Sequence, residues 1–106
     1  MTEYEAIKLL FKRYKIKIKE SNSQVDSMIN LLPSLKNKEK CSEVHLLKLL
    51  DEAIDNTESY PTDKLQRWLG FIQGVLSVTG VIDVDEERDY TRPILHSYHK
   101  NKPKSF

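Results

Sequence analysis

The stretch TEYEAIKLLFKRYKIKIKESNSQVDSMINLLP, residues 2–33, decides the fold, because its centre can be read in two ways. Taken alone, YKIKIK (Tyr14 to Lys19) alternates strictly and fits a short strand with Tyr14, Ile16 and Ile18 on one side. A wider window favours a helix. Tyr4, Ile7, Phe11, Tyr14 and Ile18 recur at alternating steps of three and four, which makes one apolar stripe. The register continues through Ser21, Val25, Met28 and Leu32, so a single helix over about residues 3–32 is expected. The polar patch Ser21–Asn22–Ser23 is the place where it would break or kink. Thr2 followed by Glu5 has the pattern of a capping box at its start. Pro33 stops it, since proline removes a donor and disfavours helical geometry at Leu32.

Beyond a polar connection, Ser42 is placed to cap a second helix, with Glu43 favourably near its dipole. Val44, Leu46, Leu47, Leu49, Leu50, Ala53 and Ile54 form a wide apolar arc there. Thr62 is the expected cap of a third helix, whose stripe is Leu65, Trp68, Leu69, Ile72, Val75 and Leu76 and whose stop is Gly80. Asp83 or Asp85 would cap a fourth, short helix, with Pro93 kinking it or starting a new turn behind Thr91. These elements predict an all-α fold. A long N-terminal helix would pack with two or three shorter helices as a helical hairpin or small bundle, in one domain over residues 1–99, with a basic tail over residues 100–106.

Composition agrees. A chain of 106 residues has room for one modest core. Three glycines and four prolines are too few for the frequent turns of a sandwich or barrel. One cysteine excludes an internal disulfide, and no apolar run approaches the ~18 residues of a membrane span. MTEYEAIKLL has no signal-peptide layout. A cytoplasmic setting without membrane contact is therefore expected. The formal net charge of +1 hides a polarised layout. Positions 8–19 carry Lys8, Lys12, Arg13, Lys15, Lys17 and Lys19 and no acid, whereas Asp83, Asp85, Glu86, Glu87 and Asp89 cluster near the other end. On a helix Lys8, Lys12, Lys15 and Lys19 share one face, a candidate basic partner surface. Asp85, Glu86 and Asp89 are the candidate acidic one.

Gly70 and Gly74 lie four apart inside the third helix, at a cost of roughly 0.5–1 kcal/mol each relative to alanine. Something must want the missing side chains. The structural reading is close packing of another helix or of the chain after Gly80, with Trp68 anchoring the core beside them. The alternative is a groove that admits a ligand or a partner's side chain against bare backbone. Arg67 could pair with the acidic cluster across the Gly80 turn.

Reaction chemistry finds little footing. Cys41 with His45, and His96 with His99, could each share a helical face, but neither pair has the CxxC company of a zinc site. DVDEERD opens like a calcium loop, yet Arg88 stands where glycine is required and Ile94 where glutamate is. No nucleophile elbow, phosphate loop or metalloprotease helix is present. No enzyme, cofactor or metal is expected.

DKLQRWLGFIQGVL, a short hydrophobic turn, and DVDEERDYTRPIL together resemble the C-terminal portion of small, uncharacterised accessory proteins of tailed bacteriophages, over about residues 63–98. The resemblance carries no active residues. It implies a setting, an infected bacterial cytoplasm, and a role in binding and inhibiting or redirecting host proteins, defence systems among them. The function expected is a protein-binding inhibitor or modulator of a host protein, with a homodimer as a further partner state. The alternative is nucleic-acid binding through the basic N-terminal helix, and a third class is a small-nucleotide sponge.

Overall fold

The structure, a computed structural model, describes residues 1–99, with side chains through Ile94. The tail assigned to residues 100–106 lies outside the described residues. Five α-helices run through the described part: α1 (Glu3–Glu20), α2 (Gln24–Ile29), α3 (Glu43–Asp55), α4 (Thr62–Val78) and α5 (Val84–His99). Short 3-10 turns at Lys38–Cys41 and Thr57–Ser59 precede α3 and α4, and no strand occurs among the described residues.

The two-way reading of Tyr14–Lys19 resolves as helix. Tyr14 and Ile18 are fully buried while Ile16 is 56% exposed, whereas a strand would have put all three on one side. The capping box forms: the Glu5 N–H donates to the Thr2 hydroxyl at 3.1 Å, and the Thr2 N–H donates to the Glu5 carboxylate at 3.2 Å. Acids in the first turn and lysines in the last oppose the helix dipole.

The single helix over residues 3–32 does not form. Asn22 and Ser23 both take left-handed backbone, with φ of 52° and 66°, and the chain turns between α1 and α2. The break falls at the polar patch, where the Ser21 hydroxyl donates to the Ile18 carbonyl at 2.7 Å. It frees α2 to reach both neighbours. Asp26 accepts the Glu43 N–H at the start of α3 at 2.9 Å, and the Gln24 amide donates to the Thr79 carbonyl at the end of α4, also at 2.9 Å. The turn also shifts the apolar register. Val25 and Ile29 are buried, while Met28 and Leu32, which continue the α1 stripe in sequence, are 37% and 40% exposed.

Ser42 caps α3, accepting the His45 N–H at 3.2 Å. The α3 arc buries Leu46, Leu50 and Ala53, and Val44 points outward. The cap of α4 is Pro61, not Thr62. The proline holds φ at −59° with extended ψ, its carbonyl accepts the Leu65 N–H at 3.2 Å, and Thr62 becomes the first helical residue. At the other end Gly80 stands at φ +78°, the Val81 N–H donates to the Leu76 carbonyl and the Gly80 N–H to that of Ser77. This is a Schellman stop.

Asp83 caps α5 through the Glu86 N–H at 3.0 Å. The helix is neither short nor restarted at Pro93. It runs through Pro93, which lacks the N–H that would meet the Asp89 carbonyl one turn back. Thr91, expected as a cap, instead donates its hydroxyl to the Arg88 carbonyl within the helix. α1 is the shared element, packed against α3, α4 and α5. Its Ile7, Leu10, Phe11, Tyr14 and Ile18 meet Leu46, Leu50, Leu65, Ile72 and Leu76, each contributing about 1.5–3 kcal/mol of burial.

Candidate functional site

The acidic run of α5 does not stay together. With 3.6 residues per turn it cannot face one way, and Glu87 turns inward to 6% exposure while Asp85, Glu86 and Asp89 remain exposed. Glu87 meets α1 there. Arg13 donates from Nε to Glu87 Oε1 and from Nη2 to Oε2, each at 3.1 Å. The Tyr14 hydroxyl donates to the same carboxylate at 2.7 Å and accepts from the Gln73 amide of α4 at 2.8 Å. Burial pushes the Tyr14 phenol far above its ordinary range, with the Glu87 contact adding to the rise and the Gln73 contact opposing it. The hydrogen bond to Glu87 raises the Arg13 guanidinium in turn. A carboxylate accepting this many donors is a strut joining α1, α4 and α5, not a free base.

Arg67 plays no part in this. It is exposed on α4, and the α4 residues that line the pocket against α5 are Gln73 and Ser77. Of the two readings of the acids, pairing with Arg67 or a solvated face, Asp85, Glu86 and Asp89 follow the second, and Glu87 pairs with Arg13 instead.

Beside the strut lies the surface formed by α1 and α5. Lys8, Lys12 and Lys19 are exposed, with no carboxylate partner among the described residues. Lys15 leaves the basic face, since its ammonium meets Asp51 of α3 at 2.6 Å. Between the lysines and α5 runs a shallow cleft of about 370 Å³ lined by Leu9, Lys12, Arg13, Ile16, Lys17, Glu20 and Tyr90. Leu9 and Tyr90 are each 37% exposed in it and Ile16 more so. The Arg13 guanidinium lies 3.5 Å from the centre of the Tyr90 ring, a cation–π contact that forms part of its wall. The one acid in the cleft lining is Glu20, on α1 beside the lysines, and Tyr90 is the residue that α5 contributes. The cleft is an apolar valley of Leu9, Ile16 and Tyr90 whose charged lining, Lys12, Arg13, Lys17 and Glu20, all comes from α1. Leu9 and Ile16 were legible as apolar residues seven apart and off the core stripe. Nothing in the sequence singled out Glu87 or Gln73.

Gly70 and Gly74 do not serve close helix packing. Both are exposed, and a Cβ on either would meet nothing within 4 Å. They line a groove of about 320 Å³ with Ile29, Leu32, Leu35, Cys41, Phe71, Val75 and Val78. The groove alternative is the one the backbone builds, because α2 and its following loop stand off from α4. Trp68 packs against the core without being enclosed by it. It sits half-buried at the edge, its ring T-shaped against Tyr60 at 5.7 Å, with the Lys64 ammonium 4.0 Å from the Tyr60 ring. Its place at the rim follows from the α4 stripe, whose centre is Leu65, Leu69, Ile72 and Leu76.

Among the described residues no three His, Cys, Asp or Glu side chains come together to hold a metal ion, and no helix is long and apolar enough to cross a membrane. The side chains of His96 and His99 lie outside the described residues. None of the family models, curated proteins or solved structures compared with the chain matches it.

Proposed function

We propose that the protein is a non-enzymatic binding factor that docks a partner protein on its α1–α5 face. The observation that carries this is the valley of Leu9, Ile16 and Tyr90, large apolar groups held in water beside Lys12, Lys17 and Glu20. Interfaces have this anatomy, an apolar centre rich in Tyr and Arg inside a charged rim. The charges in its lining, Lys12 and Lys17 with Glu20, orient an approaching partner and discourage wrong ones. The partner that fits presents an apolar side chain next to an acidic group that meets Lys12 and Lys17. Together with the phage resemblance of residues 63–98, this favours a modulator of a host protein acting in the bacterial cytoplasm.

The test is capture from bacterial lysate with the wild-type chain, Ile16→Asp and Val44→Asp. Val44 is 64% exposed on α3 and serves as the control. The proposal expects one defined protein held by the wild type and Val44→Asp but lost with Ile16→Asp. Equal capture by Ile16→Asp overturns it.

Lys8, Lys12 and Lys19 support nucleic acid as a second reading. They span about 16 Å of helix, a length that can follow several phosphates. A gel shift at low salt with mixed DNA and RNA decides this reading, with Lys12→Glu expected to weaken binding across all sequences. A nucleotide in the glycine-lined groove is not favoured, because the groove lining is apolar and Arg67 is not part of it.

A further inference from the structure

We infer that the outer face of α4 is a self-association surface, on which two copies of the chain cross antiparallel about Gly70 and Gly74. The groove there carries no charged side chain in its lining, so two copies can meet without burying like charges. The face also complements itself. In such a crossing Gly70 lies opposite Gly74 of the copy, so the two bare backbones can approach closely, and Phe71 and Val78, 40% and 70% exposed on the same side of the helix, flank the crossing. A two-fold interface demands this property, because one patch must fit its own copy.

Charge places the partner further. Arg67 stands seven residues before Gly74, two turns along the same face, exposed and without an ion-pair partner among the described residues. An antiparallel crossing centred between the glycines sets Arg67 opposite Ser77 of the second copy, in the last turn of its α4. That turn has no basic residue of its own, and a helix C-terminus carries partial negative charge. The two-fold makes this contact twice. The net charge of +1 leaves little overall repulsion between copies.

Cys41 lines the groove and is the only cysteine of the chain, so its thiol reports on the face being covered. Molar mass by light scattering is followed from micromolar to near-millimolar protein, with thiol-reagent kinetics on the same samples. The wild type is expected to pass from the mass of one chain to that of two, while Cys41 becomes slower to react. Val78→Lys and Phe71→Lys, both at exposed positions, are expected to weaken association at least about tenfold and restore the fast thiol. Lys12→Glu on α1 is expected to leave the dimer intact. A wild-type mass of one chain throughout overturns the inference, as does a dimer indifferent to both α4 variants. A different protein bound to the groove of a monomeric chain, and lost with Val78→Lys, also overturns it and assigns the face to that partner.

Discussion

Arg13 and Glu87, 74 positions apart, meet through two parallel hydrogen bonds and so set α5 against α1. Both walls of the proposed docking valley depend on that contact, since Arg13 also carries Tyr90 on its guanidinium. Removing the carboxylate strands a partly buried cation and leaves the Tyr14 hydroxyl without its acceptor. Glu87→Ala is expected to destabilise the fold by about 2–4 kcal/mol in denaturant unfolding. Amide hydrogen exchange should show the loss first in α5. Uniform exchange across all five helices would mean that the strut is not local to α5.

Tyr14 makes stability sensitive to alkali. Its folded pKa lies above the ordinary value of 10.0, so folding favours the neutral phenol. That contribution is present in full below pH 10 and is lost as pH rises beyond it, because the unfolded phenol ionises first. Unfolding free energy measured from neutral pH to pH 11 should therefore fall above pH 10. Tyr14→Phe should flatten the fall while costing about 1 kcal/mol or more at neutral pH through the lost hydrogen bonds. An unchanged slope in Tyr14→Phe would assign the alkaline loss to other groups.

The three glycines should respond to alanine in opposite directions. Gly70→Ala and Gly74→Ala each place a methyl in open space and remove a helix penalty, so each should stabilise the single chain by about 0.5–1 kcal/mol. Gly80→Ala forces a side chain into the left-handed region at φ +78° and should destabilise by about 1–2 kcal/mol. Thermal unfolding of dilute protein separates the two cases. Destabilisation by Gly74→Ala would mean that the groove is closed in solution by the chain itself.

Ser23 offers a gain for the opposite reason. It holds φ at 66° with no side-chain cap bond to compensate, and Ser23→Gly should stabilise by about 0.5–1 kcal/mol. A loss of stability in the same unfolding experiment would show that the turn between α1 and α2 gains more from the serine than its backbone costs.

Local rules made much of this fold legible. The Thr2–Glu5 box, the Ser42 cap, the Gly80 stop and the α4 stripe depend on residues within one or two turns of each other, and each forms. What stayed hidden depends on distant residues. The run DVDEERD looks uniformly solvated until Arg13 and Tyr14 are brought beside Glu87 from the other end of the chain. The spacing of Gly70 and Gly74 tells that side chains are missing but not whether the space is filled. Polarity marked the break at residues 21–23, but not the left-handed turn that exposes Met28 and Leu32. Lys15 belongs by periodicity to the basic face, and only the placement of α3 reveals Asp51 as its partner.

Photo-crosslinking from the docking face tests the proposed function most directly. A photoreactive side chain is placed at position 16 in the valley or at position 44 on α3, and the chain is irradiated inside bacterial cells. The expected result is one defined protein adduct from position 16 and none of that mass from position 44. No adduct from position 16, or the same adduct from both positions, would contradict docking of a partner between α1 and α5.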